Sequence, residues 1–132
     1  MPISDAITTL LSRVPLLDIH SDYAIQLYRE RLAGNADALW TRHLPALNEG
    51  AVSMEVLTVG GDFDIDGLEL WNPALVLRIM DATLLAIAAK PELFQLVLTR
   101  GDLMHMHERG RTGFLLALQG VRCLADSTEL LR

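Results

Sequence analysis

The sequence predicts an α/β chain built from parallel βαβ units. Short apolar runs that read as strands alternate with longer segments of helical spacing. The strand-like runs are continuously apolar or β-branched, as expected of strands covered on both faces. Glycine and proline punctuate the joints between them. Of the 132 residues, 51% are hydrophobic and 21% charged, a globular balance with enough chain for one modest domain.

The elements follow in order. Ser4, with Ile7, Leu10, Leu11 and Val14 at helical spacing, predicts a short amphipathic helix capped by Ser4 and stopped by Pro15. Leu16-Leu17-Asp18-Ile19-His20 predicts the first strand. Tyr23 to Arg31 has helical spacing and breaks at Gly34-Asn35. Leu44-Pro45-Ala46-Leu47 then leads into a turn at Asn48-Glu49-Gly50. Ala51 to Val59 reads as the second strand and Gly60 to Gly67 as a loop. The strongly apolar stretch from Pro73 to Ala89 reads as a helix, with Pro73 tolerated in its first turn and Pro91 just past its end. Leu84 to Ile87 and Leu93 to Val97 read as apolar helix faces explained by core packing. A further helix runs from Asp102 to Arg109 and stops at Gly110. Phe114 to Leu118 is the third strand, and Ser127 to Arg132 starts another helix. Three parallel strands leave two open edges, so the chain is expected to be a domain cut short.

Composition removes several functions. The net charge is −6 and the isoelectric point about 5.0. Lys90 is the sole lysine and the arginines form no basic run, so nucleic acid is not an expected partner. Cys123 stands alone, which excludes an internal disulfide and reads as a small buried residue. The first ten residues carry no positive region and an early acid, unlike a secretory leader. The longest apolar stretch, Leu84 to Ala89, is far short of the ~20 residues a membrane helix needs. A cytoplasmic chain without a membrane partner is expected.

His20-Ser21-Asp22, directly after the first strand, is the sharpest local feature. Residues two apart in an extended segment point to one side, so an imidazole and a carboxylate would emerge together, as zinc or a similar ion requires. The carboxyl end of a parallel strand is also where such folds place their sites. The competing reading makes His20 a turn residue and Asp22 a cap on the next helix. Leu118-Gln119-Gly120 ends the third strand at the equivalent position, with Gln119 as a plain loop residue the alternative. His43 reads as a solvated loop residue. His105 and His107, two apart on a helix, cannot face one metal and read as surface residues. Asp62, Asp64 and Asp66 imitate the start of a calcium loop, but Gly67 and Trp71 break its spacing; a solvated acidic loop is expected.

A family resemblance runs in register from about residue 14 to the end. Val14-Pro15-Leu16-Leu17-Asp18-Ile19-His20-Ser21-Asp22 resembles the opening strand of the membrane (renal) dipeptidase family of zinc metallopeptidases. Leu44 to Val56 looks like that family's entry to its second strand. Leu98 to Leu118, with Asp102-Leu103 and His107 to Arg111, is similar to the approach to its third. Thr128 to Arg132 matches the start of its next helix.

The resemblance implies a partial (β/α)8 TIM barrel of the metal-dependent hydrolase type, with residues 1–132 as a single incomplete barrel domain of about three βα units. It implies hydrolysis of dipeptides by metal-activated water and makes His20 and Asp22 the first two metal ligands. A bridging glutamate of the family falls at Gln119. The family holds two zinc ions, and one or none is expected here. A carboxamide is neutral where a bridging carboxylate offers two anionic oxygens, which should weaken a second metal. The family's usual glycine before the histidine is Ile19 here, and Arg122 stands where a histidine is common. No residue is assigned a catalytic role beyond metal binding, and the chain alone is expected to be inactive. Two alternatives remain open: a non-catalytic fragment or interaction module that pairs its sheet edge, as a homo-oligomer or with a partner, and a related amidohydrolase acting on a small non-peptide amide.

Overall fold

The computed structural model describes residues 5–11, 14–124 and 129. Helix α1 spans Asp5–Leu11 and strand β1 Leu16–Ser21. Helix α2 covers Tyr23–Leu32. A π-helical turn at Leu39–His43 runs into helix α3, Leu44–Glu49. Strand β2, Val52–Gly61, is followed by a small antiparallel hairpin of β3, Asp64–Ile65, and β4, Leu68–Glu69. Helix α4, Pro73–Ala88, leads to β5, Phe94–Leu96, then α5, Arg100–Glu108, and β6, Thr112–Gln119. A 3-10 turn at Arg122–Leu124 follows β6. Ser4 as a cap and the helix expected from Ser127 fall outside the described residues.

Among the described residues, three strand pairings build one four-stranded sheet of order β1-β2-β6-β5, and all three are parallel. The anticipated α/β architecture is therefore present, with three of its strands where the apolar runs place them. The fourth is a correction. Phe94–Leu96 is not a helix face but an edge strand lying against the first half of β6, with Phe94 opposite Thr112. Pro91 prevents α4 from continuing, and Phe94 then buries its ring edge-on against Phe114, 5.6 Å between centroids. Three residues are too few to display a period, so helix and strand look alike there.

Two further elements differ from expectation. The stretch before β2 is helical rather than a turn. Pro45 has no N–H and its ring crowds the carbonyl four residues earlier, yet it is harmless in the first turn of α3. The turn ahead of it widens to the π form, with the Leu44 N–H donating to the Leu39 carbonyl. The expected loop after the second strand starts later, because Gly60 and Gly61 are still paired in β2 with Leu118 and Gln119. Its continuation is the hairpin, which Arg29 of α2 holds by donating to the Ile65 carbonyl at 3.2 Å and pairing with Asp66 at 3.1 Å.

Strand alternation sorts the two faces of the sheet. Leu57, Val59 and Phe114 join Ile25, Leu27, Leu39, Ile79 and Ile87 in the main core, so α2, α3 and α4 cover one face. On the other face α5 lays Met106 over Met54 and Val97 at the amino end of the strands. Gly113 permits that contact, since a Cβ there would collide with the Met106 sulfur. Thr58, Ala117 and Gln119 mark the carboxyl half of this second face.

Candidate functional site

The site is built at the carboxyl end of β1. Asp18 accepts the backbone N–H of His20 at 3.0 Å, which fixes the last turn of the strand locally. Ser21 Oγ then accepts the N–H of Tyr23 at 3.3 Å, and Asp22, the residue before α2, makes no side-chain capping bond. The capping alternative for Asp22 is thereby set aside: a serine does that work. The freed carboxylate lies beside His20, with Nε2 and Oδ1 3.7 Å apart and both side chains about half exposed, 51% and 47%. The other ring nitrogen, Nδ1, is 3.5 Å from the hydroxyl of Thr58, which is 1% exposed on β2.

Gln119 is the last residue of β6 and is exposed at the same end of the sheet. It is paired with Gly61 rather than lying in a free loop. Thr58 is opposite Ala117, so alternation puts Gln119 on the face that carries His20. Strand β2 runs between them, and two inter-strand spacings amount to about 10 Å. Gln119 thus opens onto the same face without being a neighbour of the His20–Asp22 pair. Among the described residues no group of three or more His, Cys, Asp or Glu is arranged to hold a metal ion.

His43 is a correction. It is not a solvated loop residue: only 12% of its side chain is exposed, and its Nε2 lies 2.5 Å from a carboxylate oxygen of buried Glu55. The Tyr23 ring stacks on it at 3.5 Å with planes 6° apart. Burial, with Glu30 and Glu55 nearby, pushes the Tyr23 hydroxyl above its ordinary pKa. A sequence signal for this pair exists. Glu55 is a charge inside the apolar run Val52 to Val59, and a buried carboxylate demands a partner. By alternation Glu55 shares the helix-covered face with Leu57 and Val59, away from His20, so the pair belongs to the packing of α3 and α2 on the sheet.

His105 and His107 are exposed on α5, as expected. Cys123 is buried, 5% exposed. Asp62, Asp64 and Asp66 are exposed but individually engaged. Asp62 accepts the Arg122 N–H at 2.8 Å, Asp64 the Trp71 indole N–H at 2.8 Å, and Asp66 pairs with Arg29.

The family model for membrane dipeptidase, peptidase family M19, matches residues 4–132. The chain belongs to this family. Among solved structures, it is similar to the dipeptidase AC, a metallopeptidase of the same family, with a TM-score of 0.67 at 17% identity. At that identity the likeness speaks for the fold alone. The match covers 89% of this chain and 39% of that one, so the chain spans about two-fifths of the solved dipeptidase. No curated protein matches the chain. Among the described residues no helix is long and apolar enough to cross a membrane.

A metallopeptidase family implies a metal, and the donor set at β1 can be tested for fit. Imidazole nitrogen and carboxylate oxygen are ordinary zinc donors at about 2.0–2.2 Å, which puts two ligands of one tetrahedral ion roughly 3.4 Å apart. The 3.7 Å gap between His20 Nε2 and Asp22 Oδ1 is too long for a hydrogen bond and close to that separation. The pair fits a divalent cation. The Thr58 hydroxyl sits where it can accept from Nδ1–H, leaving Nε2 as the donor toward the ion.

Proposed function

We propose that this chain carries part of the machinery of a metal-dependent dipeptidase, with His20 and Asp22 as ligands of a divalent cation, zinc by the nature of the donors. The observation that carries the reading is the juxtaposed imidazole and uncommitted carboxylate at the carboxyl end of β1. His20 serves in its neutral form, held by Thr58 at Nδ1. Asp22 contributes the negative charge that offsets part of the cation's. When bound, such an ion supplies a Lewis acid and lowers the pKa of water for attack on an amide carbonyl. Gln119 presents one neutral oxygen toward the same face, so it can orient a substrate or ion without neutralising charge. One cation rather than two is the consequence. Two protein ligands fall short of the three that catalytic zinc sites use, so the chain by itself is assigned metal binding without turnover.

Zinc titration by calorimetry at neutral pH tests the reading. One equivalent should bind, and His20→Ala or Asp22→Ala should weaken it by more than about 100-fold. Gln119→Glu should raise occupancy by adding a carboxylate to the same face. Equal affinity in all four proteins removes the assignment. In a longer chain that supplies further ligands, a panel of dipeptides against simple amides separates peptidase from related amidohydrolase.

A second reading is favoured by one observation. Strand β1 is an edge of the sheet, with Ile19 79% exposed and Leu16 and Leu17 each 41% exposed. A chain that associates through this edge would act as an interaction module, and sedimentation velocity over a concentration series reports it.

A further inference from the structure

We infer that Tyr23, His43 and Glu55 are positioning residues for the cation pair: they pin the first residue of α2 and so hold the Asp22 carboxylate beside His20. The inference deepens the dipeptidase reading and rests on it for the identity of the cation.

Asp22 depends on support from outside its own side chain. It is the joint between β1 and α2, at φ −87° and ψ 11°, and its half-exposed side chain makes no capping bond. The carboxylate therefore goes where that joint puts it. Upstream, the joint is set by Asp18, which accepts the His20 N–H, and by Ser21 Oγ, which accepts that of Tyr23. Downstream it is set by the helix. Ala24, Ile25 and Leu27 bury the apolar side of α2 in the main core. Apolar burial is non-directional, so it holds the helix on the sheet without fixing its rotation. A metal site demands more, because ligand distances tolerate only about 0.2 Å and working constellations about 0.5 Å.

Tyr23 supplies the missing direction. Its ring lies on the His43 imidazole, 3.5 Å between centroids with the planes 6° apart. The imidazole cannot turn freely, since its Nε2 is bound to a Glu55 carboxylate oxygen at 2.5 Å. Glu55 is fixed in its turn. Its side chain is 4% exposed, and its place on β2 lies between Asp18 of β1 and Phe114 of β6. The links run from an interior strand, through a buried pair and a ring stack, to the residue next to Asp22. They approach from the helix-covered face and act on the site through the chain.

Packing alone does not account for this pair. A carboxylate inside an apolar strand loses its hydration, and well-packed hydrophobic residues would attach α2 to the sheet at least as firmly. What apolar contacts do not provide is a fixed ring orientation. That is the property the stack on Tyr23 uses.

The test titrates the full chain with zinc by calorimetry at neutral pH and records thermal unfolding of the same samples. Tyr23→Leu removes the ring and keeps an apolar side chain; zinc should bind about 10-fold more weakly or worse, with little change in midpoint. Tyr23→Phe keeps the stack and should bind as the native chain does. His43→Gln still donates to Glu55 but presents no ring, and should match Tyr23→Leu. Ile79→Val, in the core on α4, should lower the midpoint and leave zinc affinity unchanged, which separates positioning from a general loss of stability. Should His43→Gln fail to fold, the contrast between Tyr23→Leu and Tyr23→Phe decides, because Tyr23 is only half-buried. Native affinity in folded Tyr23→Leu, equal losses in Tyr23→Leu and Tyr23→Phe, or a matching loss in Ile79→Val overturns the inference. Zinc binding that His20→Ala abolishes and Tyr23→Leu leaves intact removes the positioning role alone. No zinc binding by the native chain removes the peptidase reading and the positioning role together.

Discussion

Thr58 shows how one hydroxyl can matter without carrying stability. It is buried on β2, and its contact with His20 Nδ1 is the one that selects which ring nitrogen is free. Replacing it with valine keeps the shape and removes the acceptor. Thr58→Val should leave the unfolding midpoint nearly unchanged while zinc affinity falls by about 10-fold or more. Calorimetry beside thermal denaturation separates the two effects, and a parallel loss of fold would remove the positioning role. His20 and Asp22 were legible in the sequence because a two-residue spacing on a strand has a definite geometric meaning. Thr58 was not, because nothing local says which strand will lie beside β1 or in what register. The His43–Glu55 pair was half legible: the charge in an apolar strand announces a partner, but not its address.

At the scale of elements, α5 is set by local chemistry. Thr99 Oγ accepts the Asp102 N–H at 3.2 Å, while the Asp102 carboxylate accepts from the N–H groups of Leu98 and Thr99 and from the Thr99 hydroxyl. Those bonds, that from the Thr99 side chain foremost, hold the Asp102 carboxyl below its usual range. A depressed folded-state pKa stabilises above the unfolded value and is lost as pH falls through the folded one. Acidification below the ordinary carboxylate range should therefore loosen α5. Thr99→Ala should cost about 1 kcal/mol and blunt that acid sensitivity, as read from chemical denaturation at neutral and acidic pH. A variant with the native midpoint and native acid response would contradict the cap. The sequence places this helix correctly but starts it at Asp102, whereas the structure starts it at Arg100 behind Thr99. The capping box was present in the residues and only its boundary was misread. Phe94–Leu96 is different: its strand character comes from β6 alongside, which no local window contains.

The whole molecule is governed by how β2 and β6 are enclosed and β1 and β5 are not. Phe114 is 0% exposed at the centre of the main core, against Phe94. Phe114→Ala should cost about 3–5 kcal/mol, enough to unfold a modest domain. Ile19, on the edge strand, is 79% exposed, so Ile19→Lys should leave stability almost untouched and reduce any self-association. Denaturation midpoints for both variants, with sedimentation for the second, distinguish a buried centre from an open edge. Equal destabilisation would mean that the edge is covered in solution.

The sequence by itself determined the α/β class, the strands that carry the main sheet, and the His20–Asp22 pair, because burial pattern and strand alternation are local properties of the chain. Only the tertiary structure decided that Gln119 stands a strand away from the His20–Asp22 pair and that Asp62 clasps the loop bearing Arg122. Both depend on strand order and register, which bring together segments far apart in the sequence. Free energies of that kind are settled by what packs beside a residue, not by its neighbours in sequence.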